Sequence, residues 1–213
     1  MKKLTVLFDF DGTVIDSFEE IVAIVNKLAH TFGFGPIGSD EIVAFRREGA
    51  RSLIRKLEIP LLKIPFVLQA VQKELGTRIV TCKPVQGIPN TLNYLHKHHS
   101  LGIITSNTTE NVSAFLKSNK LHTLFDFVYT SNSLFGKATT LGTVVKKLHI
   151  DVKNTVYIGD EIRDVEAAKK VGITSIAVTW GFNNKEGLLR AKPDYLVTTP
   201  QELIEVIHQM AKW

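Results

Sequence analysis

LTVLFDFDGTVIDS (Leu4–Ser17) decides how the rest of the chain is read. It opens with the apolar, β-branched run Leu4-Thr5-Val6-Leu7-Phe8, too short for a helix and bounded by the turn signal Asp11-Gly12, so it predicts a buried strand. Asp9 and Asp11 follow directly, and extended backbone would send both side chains to one side. Two carboxylates so placed resist ionising together unless a cation or a ring of donors offsets their charge. A core strand has no structural use for such a pair.

Working outward, Ile21, Ile24, Val25, Leu28 and Phe32 recur at helical spacing and Gly33 supplies a stop. Gly33-Phe34-Gly35-Pro36-Ile37-Gly38 matches the GxGxxG pattern formally, but it follows a helix rather than a strand and reads as a loop. Ser39 is the expected cap of a further helical stretch, Asp40 to Leu57, broken in two at Gly49. A last helix in this block runs from about Phe66 to Leu75. Residues 17–82 therefore read as helices with no convincing strand.

From Pro84 the texture changes to alternation. A helix stripe at Ile88, Leu92 and Leu95 precedes strand Leu101 to Thr105, helix Asn111 to Asn119, strand Phe127 to Thr130 and helix Ala138 to Leu148. Strand Thr155 to Ile158, helix Ile162 to Val171, strand Thr174 to Val178, an edge strand at Tyr195-Leu196-Val197 and helix Gln201 to Ala211 complete it. Such alternation predicts an α/β fold, a Rossmann-like parallel sheet with helices on both faces. The expected division is a core of residues 1–16 and 83–213 with residues 17–82 as an inserted all-helical domain.

Composition narrows the function classes. With 44% hydrophobic and 22% charged residues among 213, the chain has the balance of a soluble globular protein. The net charge of +5 is dispersed, which suits anionic small molecules better than nucleic acid. A single cysteine, Cys82, excludes an internal disulfide framework. The Met-Lys-Lys start lacks a signal-peptide pattern and no apolar run spans a membrane, so a cytoplasmic location is expected and the two sequons at Asn107 and Asn111 carry little weight. Oligomeric state, monomer or homodimer, is not legible.

Polar residues gather at strand ends, where ligands bind in such sheets. Asp9 and Asp11 end the first strand, Ser106-Asn107 the second, and Gly136-Lys137 stand before a helix. Gly159-Asp160, Glu161 and Asp164 follow the strand at Thr155. If these strands are neighbours, one rim holds several acids, a hydroxyl and a lysine. That set suits Mg²⁺ together with a phosphate oxygen, with Ser106 and Lys137 holding the phosphoryl oxygens while Asp9 attacks phosphorus in line.

DFDGTVIDS, ITSN, Lys137 before a helix, and YIGDEIRD, in this order, resemble the four motifs of the haloacid dehalogenase superfamily. Within it the chain is most similar, over essentially its whole length, to phosphoglycolate phosphatase-like hydrolases with a helical cap after the first motif. The resemblance implies an Mg²⁺-dependent phosphatase acting on a small phosphorylated metabolite. Asp9 would form an aspartyl-phosphate and Asp11 would protonate the leaving oxygen and then activate water. The Asp9 carboxylate, the Asp11 carbonyl and Asp160 would hold Mg²⁺. Ser106 through its hydroxyl, Asn107 through its amide and Lys137 would hold the phosphoryl group, and Asp164 would support the metal or orient Lys137. Phe18 and Ala138 stand where many relatives have proline. The alternatives are a phosphoryl-transfer mutase on a sugar phosphate, a pyrophosphatase, or a catalytically silent binding protein; a dehalogenase would need neither Asp11 nor Mg²⁺. Arg46, Arg47 and Arg51 read as surface arginines that could greet a second anionic group, and His96, His98 and His99 as an exposed helix end.

Overall fold

The computed structural model describes residues 2–131 and 136–212. Strand β1 is Thr5–Phe8 and is followed by a two-residue strand β2, Ile15–Asp16. Helices α1 (Phe18–Phe32), α2 (Ser39–Glu48), α3 (Ala50–Lys56) and α4 (Ile64–Gly76) come next, and then strand β3, Lys83–Pro84. After them run α5 (Ile88–His96), β4 (Ser100–Thr105), α6 (Thr109–Ser118), β5 (Phe127–Thr130) and α7 (Lys137–Lys147). The chain continues through β6 (Thr155–Gly159), α8 (Ile162–Val171), β7 (Thr174–Val178), α9 (Lys185–Arg190), β8 (Tyr195–Val197) and α10 (Pro200–Met210). The expected loop between Thr130 and Gly136 falls mostly outside the described residues.

Six strands form one parallel sheet in the order β5-β4-β1-β6-β7-β8. This is the α/β fold the alternation predicts, and β8 is the edge strand the sequence suggests. The period of two sorts side chains between the faces. Val6 and Phe8 of β1 join a cluster with Leu92 of α5, Phe115 of α6 and Ile207 of α10. Leu7 between them joins Leu141, Val144 and Ala168 of α7 and α8 on the other face. At about 1.5–3 kcal/mol per fully buried large apolar side chain, these two faces supply most of what holds the sheet between its helix layers.

All the helices between β2 and β3 belong to residues 18–76, and the two short strands pair antiparallel where the chain leaves and re-enters the sheet region. That ladder was not expected: at two residues per strand it carries no periodicity. The insert shares its apolar contacts with the sheet domain, since Ile24, Val67, Val71 and Leu75 lie in the same cluster as β1. Gly49 separates α2 from α3 at φ 83°, ψ −177°, a conformation that L side chains rarely adopt. Three expectations shift. Gly38 rather than Ser39 caps α2, with its amide donating to Glu41 at 3.0 Å. The last insert helix starts at Ile64, because Pro65 is tolerated in a first turn. His99 is buried rather than exposed, and its Nδ1 accepts the Leu4 amide at 3.3 Å, so it braces the start of β1. Among the described residues no helix is long and apolar enough to cross a membrane.

Candidate active site

β1, β4, β5 and β6 are contiguous in the sheet, so their carboxyl ends share one rim. Asp9 follows β1 and its amide continues the ladder to the Ile158 carbonyl at 2.8 Å. The side chain is buried and its Oδ2 lies 2.5 Å from Lys137 Nζ. Lys137, the first residue of α7, also pairs with Asp164, so a buried ammonium bridges two carboxylates. Burial alone would lower the lysine's pKa, but Asp164 and Asp9 outweigh it and hold the group above its usual range, fully cationic.

Beyond Phe10 the backbone turns, and Asp11 does not simply repeat the orientation of Asp9. Its Oδ1 accepts from the Ser17 hydroxyl at 3.0 Å and its Oδ2 from Asn107 Nδ2 at 2.9 Å. Burial first, and the Asp9 charge second, raise its pKa to about 6, against the opposing pull of these two donors. Asp11 therefore retains a proton into the weakly acidic range beside a carboxylate whose charge Lys137 offsets.

Asp160 directly follows β6 and is fully buried. Thr13 Oγ1 donates to its Oδ1 at 2.6 Å and the Phe182 amide to its Oδ2 at 2.7 Å. Asp164, in the first turn of α8, accepts from the Glu161 amide at 2.9 Å. Burial raises the pKa values of both Asp160 and Asp164, joined at Asp160 by the charges of Asp164, Glu161 and Asp9, and at Asp164 by those of Asp9 and Glu161 against the opposing pull of Lys137. Asp9, Asp160 and Asp164 each offer one carboxylate oxygen within 4.8 Å of the others. Three buried acids facing one lysine leave negative charge in excess, and a hard divalent cation with oxygen ligands fits that donor set. The backbone leaves no room to spare there: a Cβ on Gly12 or on Gly181 would fall 2.2 Å from Asp160 Oδ2.

Ser106 stands at the end of β4, half-buried, and its carbonyl accepts from Gln72 of α4 at 2.6 Å. The Asn107 amide, expected to face an anion, donates to Thr105 Oγ1 at 3.1 Å. Asn107 enters the site through its side chain instead, on Asp11. Beside Lys137 lies a cavity of about 200 Å³ between the insert and α8, lined among others by Glu48, Arg51, Glu161 and Arg163. Of the three arginines singled out, Arg51 lines that cavity, whereas Arg46 lies 3.9 Å over the Phe18 ring and donates to the Gly181 carbonyl at 3.1 Å. Arg47 faces Glu186 of α9 at 3.4 Å. Sequence reasoning missed Thr13, the Phe182 amide and Ser17 as supports of the acids. Thr13 and Ser17 lie within the opening stretch itself, and a polar residue there beside two acids was the available signal.

The Haloacid dehalogenase-like hydrolase family model matches residues 6–178. A phosphoglycolate phosphatase of Synechococcus elongatus is 35% identical over 208 residues, covering 97% of this chain and 98% of that protein. One from Aquifex aeolicus is 25% identical, covering 95% of each chain. Among solved structures, a predicted phosphatase from Clostridium acetobutylicum superposes with a TM-score of 0.85 at 25% identity, covering 98% of this chain and 100% of that one.

Proposed function

Since the chain belongs to the haloacid dehalogenase-like hydrolase family and is a phosphatase, we propose that it hydrolyses a small phosphate monoester through an aspartyl-phosphate on Asp9, with Mg²⁺. The observation that supports this most is the division between two neighbouring acids. Asp9 is charge-compensated by Lys137 at 2.5 Å, while Asp11 holds its proton up to about pH 6. One is suited to attack and the other to donate.

In the first step an Asp9 carboxylate oxygen forms a bond to phosphorus as the ester P–O bond breaks, and Asp11 gives its proton to the departing oxygen. In the second, Asp11, now a carboxylate, takes a proton from water; the water oxygen bonds to phosphorus and the Asp9–phosphorus bond breaks, releasing inorganic phosphate. Lys137 and the Ser106 hydroxyl hold phosphoryl oxygens, and Asp164 positions Lys137 through their ion pair. Asn107 holds Asp11 in line, and its amide joins the phosphoryl group only by giving up Thr105. The Asp9 carboxylate, the Asp11 carbonyl and Asp160 would hold Mg²⁺, which would supply charge neutralisation for the phosphoryl oxygens. Residues 17–82 act as the lid over a core made of 1–16 and 83–213, with the β2–β3 ladder as its hinge. The names of the curated relatives make 2-phosphoglycolate the first substrate to try, and a small phosphorylated metabolite the expected class.

The test is phosphate release from 2-phosphoglycolate and a panel of phosphorylated metabolites, with Mg²⁺ and with chelator. Metal-dependent release that Asp9→Asn abolishes supports the reading. No metal-dependent release from any member, or full activity in Asp9→Asn, overturns it.

A further inference from the structure

We infer that Asn183 is a positioning residue that couples seating of the helical insert to the setting of the loop carrying Asp160. The inference rests on reading residues 17–82 as a lid. Asn183 follows β7 by a few residues and is 1% exposed, although its side chain is an amide. Both polar atoms of its side chain and its backbone amide are used, and the partners fall on two sides of the molecule. Toward the sheet domain, its Oδ1 accepts the Ile162 amide at 2.8 Å and its own amide donates to the Asp160 carbonyl at 3.2 Å. Toward the insert, its Nδ2 donates to the Phe45 and Arg46 carbonyls at 2.9 and 3.3 Å.

The insert side of this contact is a helix end. α2 ends at the kink of Gly49, whose amide still donates to the Phe45 carbonyl at 2.7 Å, while the Arg46 carbonyl beyond it takes its donors from elsewhere. The sheet domain supplies them: besides Asn183, the Asn184 amide donates to the Arg46 carbonyl at 2.6 Å. Part of the cap of α2, the donors to Arg46, thus comes from another part of the chain and is lost when the insert lifts. The same loop sets Asp160, since the Phe182 amide donates to Asp160 Oδ2 and the Phe182 ring packs 5.4 Å from Phe18 and 5.9 Å from Phe45 of the insert. Lifting the insert leaves the Asn183 amide and the Arg46 carbonyl to find water, while the loop that orients Asp160 loses its brace. Asn183 also borders the cavity beside Lys137, but both polar atoms of its side chain are held by protein partners, so its effect passes through Asp160 and the α2 end.

Two variants of the full chain separate the two halves of the contact. Asn183→Asp keeps the acceptor for the Ile162 amide and removes the donor to the insert; Asn183→Ala removes both. Amide hydrogen exchange without substrate is expected to rise at least about 10-fold across residues 45–52 in both variants, and across residues 161–164 in Asn183→Ala alone. In steady-state assays on the best substrate found, kcat/KM is expected to fall about 10- to 100-fold in Asn183→Asp, mostly through KM, with a further loss in kcat in Asn183→Ala. Wild-type exchange at residues 45–52 together with wild-type KM in Asn183→Asp would overturn the coupling and leave Asn183 a local brace. Exchange changes as expected in a protein that hydrolyses no phosphate ester would sink the proposed reaction and leave the coupling standing.

Discussion

Asp11 carries a pH dependence that can be read from stability as well as from rate. Its folded pKa of about 6 lies above the ordinary 3.8, so the folded state binds the extra proton between those values. Its contribution is fully present below about pH 4 and is lost as pH rises through about 6. Metal-free Asp11→Asn is therefore expected to match the wild type near pH 4 and to exceed it by up to about 3 kcal/mol at neutral pH, measured by urea unfolding at both. Gly181 offers a steric test. It lies outside the positive-φ glycines, yet a Cβ would sit 2.2 Å from Asp160 Oδ2, so Gly181→Ala should displace that carboxylate and lower kcat/KM by about 100-fold. A kcat/KM within twofold of wild type would show that the carboxylate can give way. The acids were legible in the sequence because each follows an apolar strand, and Lys137 because it precedes a helix. Phe182 and Asn183 were not, because their roles exist only once a distant loop folds back on Asp160.

Helices and longer strands announced themselves through periodicity and glycine punctuation, and the break at Gly49 was visible for that reason. The β2–β3 ladder and the six-residue α9 are shorter than any repeat that could reveal them. Gly49 also makes a prediction about its elements. With φ 83° and a cap shared between α2 and α3, Gly49→Ala is expected to cost about 1–3 kcal/mol in unfolding free energy, read as a lower urea midpoint at unchanged slope. The other seam of the insert joins α4 to α6, where Gln72 donates to the Ser106 carbonyl and Asn111 to the Gln72 carbonyl at 2.9 Å. Gln72 therefore joins the insert to the residue expected to hold the phosphoryl group, a link that helix periodicity cannot encode.

At the scale of the molecule, the excess of buried negative charge predicts that a divalent cation stabilises the fold. At 100 times its Kd, Mg²⁺ is expected to add about 2.7 kcal/mol, which for a chain of this size raises Tm by roughly 5–10 °C. A thermal melt with Mg²⁺ and with chelator measures this, and Asp160→Asn should abolish the shift. Alternation made the parallel sheet legible, whereas strand order was assumed only for the four strands carrying polar ends; the register of six strands is set by packing across both faces. The central place of β1 has a further consequence during synthesis. Its partners β4 and β6 begin at Ser100 and Thr155, so the first strand made waits longer for a partner than any other strand of the sheet. At about 5–20 residues per second, β1 waits roughly 5–20 s for β4 on the ribosome. Through that interval its apolar edges are open to other chains, and the yield of active protein depends on how fast translation proceeds beyond the insert.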